Sequence, residues 1–340
     1  MSSNMDNSNS RFTDEMLLMT ARLYYIDGLP QADVARIMHV SQPQVSRLLS
    51  LARNRGIVRI SVADYDPRDR QLETALVERF DLQNPIVIKT ITGTKMRDLR
   101  YTVAHFAAAD VTRAISQART MAIAGGRTLQ DLCGQIKDPG PRTSLNVVQA
   151  MGNVGSMPSS YDALELGRQI AAKWRGSFFM LNTPVLLPNP ATRDAIMSLE
   201  ENKQVLNRFA QCDLAIVGVG TLQNSMFTDR EIFTEADNLE LRASGGVGEI
   251  CGRFFDANGN ECDSSFRDRV ASISLEQLRK IPQVIGVTVG ADRAHAVHAA
   301  ITGNILKSLV LDDAAATALL QIADAADAGK VATAAAGSRQ

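Results

Sequence analysis

Glycine-rich turns follow several apolar runs of this 340-residue chain, and their side chains could bind an anion. In residues 122–132 (AIAGGRTLQDL), an apolar run leads through Gly125 and Gly126 to a predicted helix that starts near Thr128. Backbone N–H groups at a helix start, with the Arg127 guanidinium and the Thr128 hydroxyl, suit a phosphate group. A glycine turn after a strand can also be a packing requirement. Several such turns at one edge of the sheet favour a ligand pocket over packing alone.

Three further turns have this character. Residues 216–222 (IVGVGTL) add a hydroxyl, residues 244–252 (SGGVGEICG) add a carboxylate, and residues 289–300 (VGADRAHAVHAA) add a carboxylate and a guanidinium. A carboxylate that accepts hydroxyl groups and an arginine that binds phosphate are what a sugar phosphate requires. The candidate effector-binding residues are Gly125, Gly126, Arg127, Thr128, Gly218, Gly220, Thr221, Glu249, Gly290, Asp292 and Arg293.

Other site chemistries find little support in the sequence. Neither GxGxxG nor a Walker A motif occurs, so a dinucleotide or a nucleoside triphosphate is not indicated. The four cysteines lack CxxC spacing, which indicates no disulfide framework or zinc site. His295 and His298 lie three apart without a third ligand nearby, which favours surface or core histidines over a metal site. We therefore expect no metal, no cofactor and no catalytic residue.

The elements that position these turns are predicted from residue 85 onward. Near-continuous apolar runs alternate there with helical segments, a pattern typical of a parallel sheet buried on both faces. The sequence predicts the α/β fold class, with a doubly wound, mainly parallel sheet. Ligands bind such sheets beyond the carboxyl ends of the strands, where these turns lie. The runs are PIVIKT, TMAIAGG, LNVVQAMG, GSFFMLNTPVLLP, DLAIVGVG, VIGVTVG and SLVLDD.

A second kind of chemistry is indicated near the amino terminus. TDEMLLMTARLYY and QADVARIMH have helical periodicity, and a third helix starts at Ser41, where Gln44 completes a capping-box spacing. Val40 and Val45 have the spacing of a hydrophobic staple, and Pro43 lies in the first turn. This order predicts a helix-turn-helix, and the alternating run IVRISVA after Gly56 predicts a strand that makes it winged.

Charge supports DNA binding by this segment. Residues 31–60 carry five arginines against one aspartate, in a chain of formal net charge −1. On the third helix Gln42, Gln44, Ser46 and Arg47 are the candidate base readers. Arg53, Arg55 and the backbone at Ser41 are the candidate phosphate contacts. The alternatives are a helix-turn-helix that contacts protein, or a plain three-helix core.

Composition and length complete the domain organisation. With 45% hydrophobic and 21% charged residues the chain is globular, and it contains neither an 18-residue apolar run nor a signal-peptide pattern. We expect a cytoplasmic protein without a membrane partner. The predicted divisions are a disordered lead (1–12), the helix-turn-helix domain (13–62), a linker helix (63–84), an effector-binding and oligomerisation domain (85–324) and a flexible tail (325–340).

In their order along the chain these motifs resemble those of the SorC, or sorbitol operon regulator, family of bacterial transcriptional regulators. The resemblance extends from about residue 13 to about residue 320 and rests on GGRT, TPVLLP, CDLAIVGVGTL, GGVGEICGRFFDANGNE and the segment that starts at IPQVIGVTVGADRAH. It implies a sugar-binding domain of the NagB/RpiA/CoA-transferase-like type that binds phosphorylated sugars or polyols. It also implies a homo-oligomer, a dimer or a tetramer, on operator DNA.

The family motifs place a phosphate-binding turn on Gly126, Arg127 and Thr128, and a second glycine turn on residues 218–221. The chain departs from the usual pattern in four places. The GG turn reads Gly290-Ala291, the LVTDE segment reads LVLDD and lacks the Thr, and two charged positions differ. Glu249 lies where Asp is commoner, and Arg293 lies where Lys is usual. Arginine holds phosphate in a planar, bidentate way that lysine cannot, and the longer Glu side chain changes the sugar end of the site.

The sequence therefore predicts a ligand-responsive, DNA-binding regulator of a carbohydrate or polyol catabolic operon. One alternative is a sugar-phosphate-processing enzyme of the same fold, with Glu249 as base or nucleophile, although no paired acid and base is found in the motifs. The other alternative is a DNA-binding protein whose second domain only oligomerises.

Overall fold

The chain divides into two compact units in a computed structural model, one up to Tyr65 and one from Asp66 onward. The structure describes residues 12–63, 65–140 and 144–337, and for residues 328–337 it describes the backbone alone. Each unit is built around its own hydrophobic core.

The first unit consists of three helices. They are α1 (Asp14–Ala21), which continues into a π-helical turn (Arg22–Ile26), α2 (Gln31–Ile37) and α3 (Gln42–Asn54). Leu17 of α1 packs against Leu48 and Ala52 of α3, and Val34 of α2 packs against the other side of α3. Short α2, a tight turn and longer α3 form the predicted helix-turn-helix.

The start of α3 has the capping box that the sequence predicts. The Ser41 hydroxyl accepts a hydrogen bond from the Gln44 backbone N–H, and the Gln44 side-chain oxygen accepts one from the Ser41 N–H at 2.8 Å. Two of the N–H groups that a helix start leaves unpaired are satisfied in this way. The helix ends before Gly56, whose φ of +73° suits glycine.

The predicted wing strand is absent from the described residues. Residues 57–63 form bends and extended chain without strand pairing. A strand needs a hydrogen-bonded neighbour, and the first unit offers no second extended segment among its described residues. Ile60 and Val62 consequently remain exposed.

The second unit alternates strands and helices around one seven-stranded sheet. Its strands are β1 (Ile86–Ile88), β2 (Thr120–Ile123), β3 (Asn146–Gln149), β4 (Ser177–Phe179), β5 (Leu214–Gly218), β6 (Gly248–Ile250), β7 (Arg253–Phe255), β8 (Gln283–Val287) and β9 (Ser308–Asp312). Its helices are α4 (Arg70–Phe80), α5 (Met96–Gln117), α6 (Arg127–Gln135), α7 (Ala163–Lys173), α8 (Pro190–Met197), α9 (Glu200–Phe209), α10 (Met226–Asp229), α11 (Glu235–Ala243), α12 (Leu275–Lys280), α13 (Ala294–Thr302) and α14 (Asp313–Gly337).

The sheet has the order β1-β9-β8-β5-β2-β3-β4, and all its neighbouring strands pair in parallel. Every residue of β2 and β9 is buried, as expected for a sheet covered by helices on both faces. The chain reverses its direction of travel through the sheet between β2 and β5, which creates a switch point there. The doubly wound α/β fold is thereby confirmed.

A separate two-stranded hairpin lies beside this sheet. Strands β6 and β7 pair antiparallel, and Cys251 and Gly252 form their two-residue turn. Both residues have positive φ, +55° and +79°, which is the requirement of a type I′ turn. The hairpin brings Glu249 of β6 against Gly220, as described below.

The amino end of the second unit is paired with the edge of the sheet. Asp69 donates its N–H to the Val87 carbonyl at 2.8 Å, and Lys89 donates to the Pro67 carbonyl at 2.8 Å. The Arg68 guanidinium contacts the carboxylates of Glu73 and Asp110 at 2.6 and 3.0 Å. Segment 67–69 and α4, which the sequence places in a linker, are therefore built into the second unit.

The carboxyl end differs from the predicted flexible tail. Helix α14 continues to Gly337, and its last turns are rich in alanine, which has the highest helix propensity. Residues 338–340 of that predicted tail, and residues 1–11 of the predicted disordered lead, lie outside the described residues. Among the described helices, none is both long and apolar enough to cross a membrane.

The capping box gives a first prediction. Replacement of Ser41 by Ala removes the acceptor for the Gln44 N–H and should lower the free energy of unfolding of the first unit by about 1 kcal/mol. Ser46→Ala, at an exposed position within the same helix, should have little effect. Thermal denaturation followed by circular dichroism measures both variants, and equal stability of the two would contradict the capping role.

Candidate functional site

A pocket opens at the switch point, beyond the carboxyl ends of β2, β5 and β8. The cavity itself is small, about 80 Å³ in volume, and it opens to solvent at its mouth. Eight of the predicted effector-binding residues line it, namely Gly125, Gly126, Arg127, Thr128, Gly218, Gly220, Glu249 and Arg293. The parallel sheet thus brings residues that are up to 168 positions apart in sequence to one cavity.

The amino terminus of α6 forms one wall of the pocket. Gly126 precedes the helix with φ of +145°, a conformation open only to glycine, and its N–H is bound to the Tyr161 carbonyl at 2.8 Å. No side chain caps α6, and its first backbone hydrogen bond runs from Gln130 to Gly126. The N–H groups of residues 127–129 therefore precede the helical ladder in a stretch that lines the pocket, where they suit an anion.

Three guanidinium groups surround the same cavity, and each is held by a neighbour. Arg127 contacts the Asp229 carboxylate at 2.6 Å, Arg100 contacts the Asp131 carboxylate at 3.2 Å, and Arg293 donates to the Val289 carbonyl at 2.9 Å. Asp229 lines the pocket beside Arg127 and is the only aspartate to do so among the described residues. Arg293 also contacts the Asp292 carboxylate at 3.4 Å, so each guanidinium group has a carboxylate neighbour. Among the lining residues themselves, three guanidinium groups face the two carboxyl groups of Asp229 and Glu249.

Glu249 supplies a second carboxyl group to the pocket, beside that of Asp229. Gly220 and Glu249 exchange two backbone hydrogen bonds of 2.9 and 3.0 Å, which fix the hairpin against the loop after β5. A Cβ atom on residue 220 would come within 2.7 Å of the Glu249 carboxylate, so a larger residue there would displace that carboxylate. Burial raises the pKa of Glu249 to about 7, against the lowering effect of a hydrogen bond from the Gly252 N–H. Near neutral pH this carboxyl is partly protonated, so it can both donate to and accept from a hydroxyl group.

The remaining three predicted effector-binding residues lie beside the pocket and do not line it. The Thr221 hydroxyl accepts hydrogen bonds from the backbone N–H groups of Gln223 and Asn224 and shapes that loop. The Gly290 N–H is bound to the buried Asp312 carboxylate at 2.7 Å. Asp292 accepts a hydrogen bond from the Asn224 side chain at 2.9 Å. All three support residues of the lining.

Sequence reasoning missed several lining residues, among them Met96, Arg100, Asn224, Ser225, Asp229 and Cys251. Arg100 lies within α5, where nothing in the local sequence distinguishes it from a solvated arginine. Ser225 and Asp229 belong to a segment without strong periodicity, although Ser225 caps α10. An N-cap pattern in NSMFTD was the one available signal.

The candidate DNA-binding face lies on α3 of the first unit. Val45, Leu48 and Leu49 are buried, whereas Gln42, Ser46 and Arg47 are exposed. The polar side chains of α3 are therefore accessible, and the major groove of DNA is wide enough to admit an α-helix.

Four other predicted DNA-contacting residues make interactions within the first unit. Ser41 and Gln44 are joined through the capping box, so the Gln44 side-chain oxygen is already bound. Arg53 contacts the Tyr25 hydroxyl at 3.3 Å, and Arg55 contacts the Asp14 carboxylate at 2.6 Å. The Arg53 and Arg55 contacts are exposed, so exchange for a phosphate group would cost little.

The histidines are not gathered around a metal-binding group. His295 is exposed on α13, while the His298 ring lies 6.0 Å from the Phe80 ring. Across the described parts of the chain, no three His, Cys, Asp or Glu side chains lie close enough together to hold a metal ion.

A helix-turn-helix unit joined to an α/β unit with a ligand pocket defines a class of protein, the ligand-responsive transcriptional regulators. Comparison with known proteins identifies the family. The model of the "Putative sugar-binding domain" family matches residues 67–321, and the chain belongs to this family.

Relatives over nearly the whole chain are transcriptional regulators. The deoxyribonucleoside regulator of Bacillus subtilis (strain 168) is 26% identical over 91% of this chain and 98% of its own length. The sorbitol operon regulator of Klebsiella pneumoniae is 26% identical over 90% and 98%. The crystal structure of full-length SorC from Klebsiella pneumoniae superimposes with a TM-score of 0.73 at 25% identity, over 91% of this chain and 99% of that one. The protein is therefore a transcriptional regulator with a sugar-binding domain, and not an enzyme.

The buried carboxyl group gives a prediction about pH. Because the pKa of Glu249 is raised from 4.5 to about 7 in the folded state, its stabilising contribution is complete below pH 4.5 and is lost as pH rises through 7. Glu249→Gln has no carboxyl group to ionise at this position, so its free energy of unfolding should rise relative to that of the wild type as pH increases. The difference between variant and wild type should be larger at pH 8 than at pH 5 by up to about 3 kcal/mol. Urea denaturation at both pH values measures this difference. The exposed Glu235→Gln is the control, and an equal pH response in both variants would refute the prediction.

Proposed function

We propose that the effector of this regulator is a phosphorylated sugar or polyol, and that it binds in the pocket at the switch point. The observation that carries the proposal is the convergence of the uncapped α6 amino terminus, three guanidinium groups and the Glu249 carboxyl on one cavity. One end of the pocket is suited to a dianion and the other to hydroxyl groups. In this proposal the pocket holds a transient effector and no resident cofactor.

The phosphate group would lie at the α6 amino terminus. The N–H groups of residues 127–129 and the Thr128 hydroxyl supply donors there, and the partial positive charge of the helix end favours an anion. Arg127 is close enough to turn from Asp229 to the phosphate. Arg293, on the loop after β8, would supply a second, bidentate contact from another wall of the pocket.

The polyol end would lie against Glu249. A carboxyl group that is partly protonated near neutral pH can accept a hydrogen bond from one hydroxyl and donate to another. Its position is fixed by the two backbone hydrogen bonds to Gly220, so the distance between phosphate and hydroxyl subsites is set by the fold. A preorganised distance selects among effectors by chain length.

On the DNA side, we propose that Gln42, Ser46 and Arg47 read base edges, and that Gln44 does so after release from Ser41. Arg53, Arg55 and the backbone at Ser41 would contact phosphate groups. Ligand binding regulates the protein only if the effector has different affinities for the DNA-bound and free states. A cytoplasmic homo-oligomer, a dimer or a tetramer, would present two or more copies of α3 to an operator.

The effector proposal is tested with a thermal-shift panel of hexose and hexitol phosphates and their unphosphorylated counterparts. A phosphorylated compound at about 100 times its dissociation constant should stabilise the wild type by about 2.7 kcal/mol, and its neutral counterpart should not. Arg127→Gln and Thr128→Val should remove most of this stabilisation, whereas the exposed Arg119→Gln, just before β2, should retain it. No stabilisation across the panel would favour a second unit that only oligomerises.

Asp229 should oppose the phosphate group, since it holds Arg127 and places a negative charge at the pocket. Asp229→Asn should therefore tighten phosphate binding by about three- to tenfold, on the order of 1 kcal/mol for a partly exposed ion pair. Calorimetric titration with inorganic phosphate at fixed ionic strength measures the change. Asp138→Asn disrupts an ion pair with Arg175 elsewhere on the second unit and serves as the control. An unchanged affinity in Asp229→Asn would show that Arg127 needs no release.

DNA binding is tested on the DNA upstream of the protein's own coding sequence. Arg47→Ala should weaken a gel-shift complex by about 1–3 kcal/mol and reduce discrimination against unrelated DNA, because a base contact is lost. Arg53→Ala should weaken all complexes similarly and lower the salt slope by about 1. Arg119→Ala, an exposed arginine of the second unit, is the control. Wild-type behaviour of Arg47→Ala would exclude it as a reader.

A further inference from the structure

The first unit exposes an apolar helix face that its own core does not use. Leu18 is 56% exposed, Met19 52% and Ile26 74%, although Leu17 and Ala21 of the same helix are buried against α3. Ile60, in the segment that follows α3, lies beside this face and is 58% exposed. Large exposed apolar residues that cluster on so small a unit indicate a surface that binds a partner. We refer to Leu18 and Met19 of α1, together with Ile26 of the π-helical turn that continues it, as the α1 face.

Two opposite charges flank the α1 face. Glu15 lies one helical turn before Leu18 and Met19, and Arg22 lies one turn after them, on the same side of the helix. Arg22 reaches Asp27 only at 3.9 Å, with both side chains largely open to solvent. Glu15 makes no ion pair among the described residues of the first unit. Both charges are therefore available to a partner.

The spacing of these residues is self-complementary. When two copies of α1 lie antiparallel about a two-fold axis between residues 18 and 19, Glu15 of one copy faces Arg22 of the other. In the same register Leu18 faces Met19 of the other copy. A two-fold interface requires that each residue and its partner exchange roles in this way. An unrelated partner would not require charges placed symmetrically about the apolar pair.

We propose that the α1 face is a homodimer interface at which two copies of this chain pair α1 antiparallel, with two Glu15–Arg22 ion pairs around a Leu18–Met19 centre. The face lies on the side of α1 that is turned away from α3, so the pairing leaves the exposed residues of α3 uncovered. A two-fold pair presents two copies of α3 in opposite orientations. If the first unit binds DNA as proposed above, its operator is an inverted repeat.

Disulfide trapping tests the proposal in the full-length chain. All four native cysteines are buried, so a cysteine introduced at position 19 has little competition. Met19→Cys should form a covalent dimer under mild oxidation on the order of 100-fold faster than Arg36→Cys, an exposed position on α2, because a preformed interface gives a millimolar effective concentration. Non-reducing gel electrophoresis over time measures both rates. Equal rates for the two variants would overturn the proposal, even if the second unit oligomerises.

Charge exchange identifies the register. In the Met19→Cys background, Glu15→Arg or Arg22→Glu alone places like charges together and should slow cross-linking about tenfold. The double exchange Glu15→Arg with Arg22→Glu restores two opposite pairs only in a two-fold antiparallel interface, and should recover the original rate. Circular dichroism checks that each variant folds. A double variant that cross-links no faster than the singles would show that another surface covers the α1 face.

Neither outcome depends on the effector or on DNA. Cross-linking at position 19 without a gel-shift complex would support the interface and refute DNA binding. A gel-shift complex without cross-linking at position 19 would support DNA binding and refute the interface.

Discussion

The parallel pairing of β2 with β5 is the constraint on which the pocket depends. Ile123, the last residue of β2, lies opposite Ile216 in this pair, and β5 continues for two more residues to Gly218. This offset places Gly218 beside Gly125, so the two glycine turns are neighbours. One turn starts α6 with its unpaired N–H groups, and the other leads to Gly220, which holds Glu249. The groups proposed to bind the anion and the hydroxyl groups are therefore placed by the register of a single strand pair. A shift of that register would move one end without the other.

The polarity of the pocket follows from desolvation as much as from charge. Glu249 is buried without a cationic partner, which is why its pKa rises instead of falling as it would in an ion pair. Asp229 lies nearer the surface and keeps Arg127 in place. The two acids of the pocket therefore differ in role. Burial favours the protonated, neutral form of Glu249, whereas the charge of Asp229 is balanced by the Arg127 guanidinium. The site can remain positive overall although carboxyl groups line it.

Much of this arrangement could be predicted from the sequence, because the relevant patterns are local. The capping box at Ser41, the strand ends at residues 124 and 218, and the glycines that follow them each lie within a few consecutive residues. The lining contributions of Arg100 and Asp229 could not be predicted, because they depend on how helices pack across the pocket. The strand predicted after Gly56 is absent from the described residues for a related reason. Alternating apolar and polar residues are compatible with a strand, but the pattern does not supply a second strand to pair with its backbone.

The pairing of segment 67–69 with β1 decides where the chain can be divided. Val87 and Lys89 have their backbone groups satisfied by this segment, and Arg68 closes the edge together with Glu73 and Asp110. A sensor fragment that starts at Asp66 keeps this protected edge. One that starts at Pro85, where the apolar runs begin, would expose an unpaired strand to any other strand in solution. For chimeric regulators that combine this sensor with a foreign DNA reader, the junction therefore belongs before Asp66.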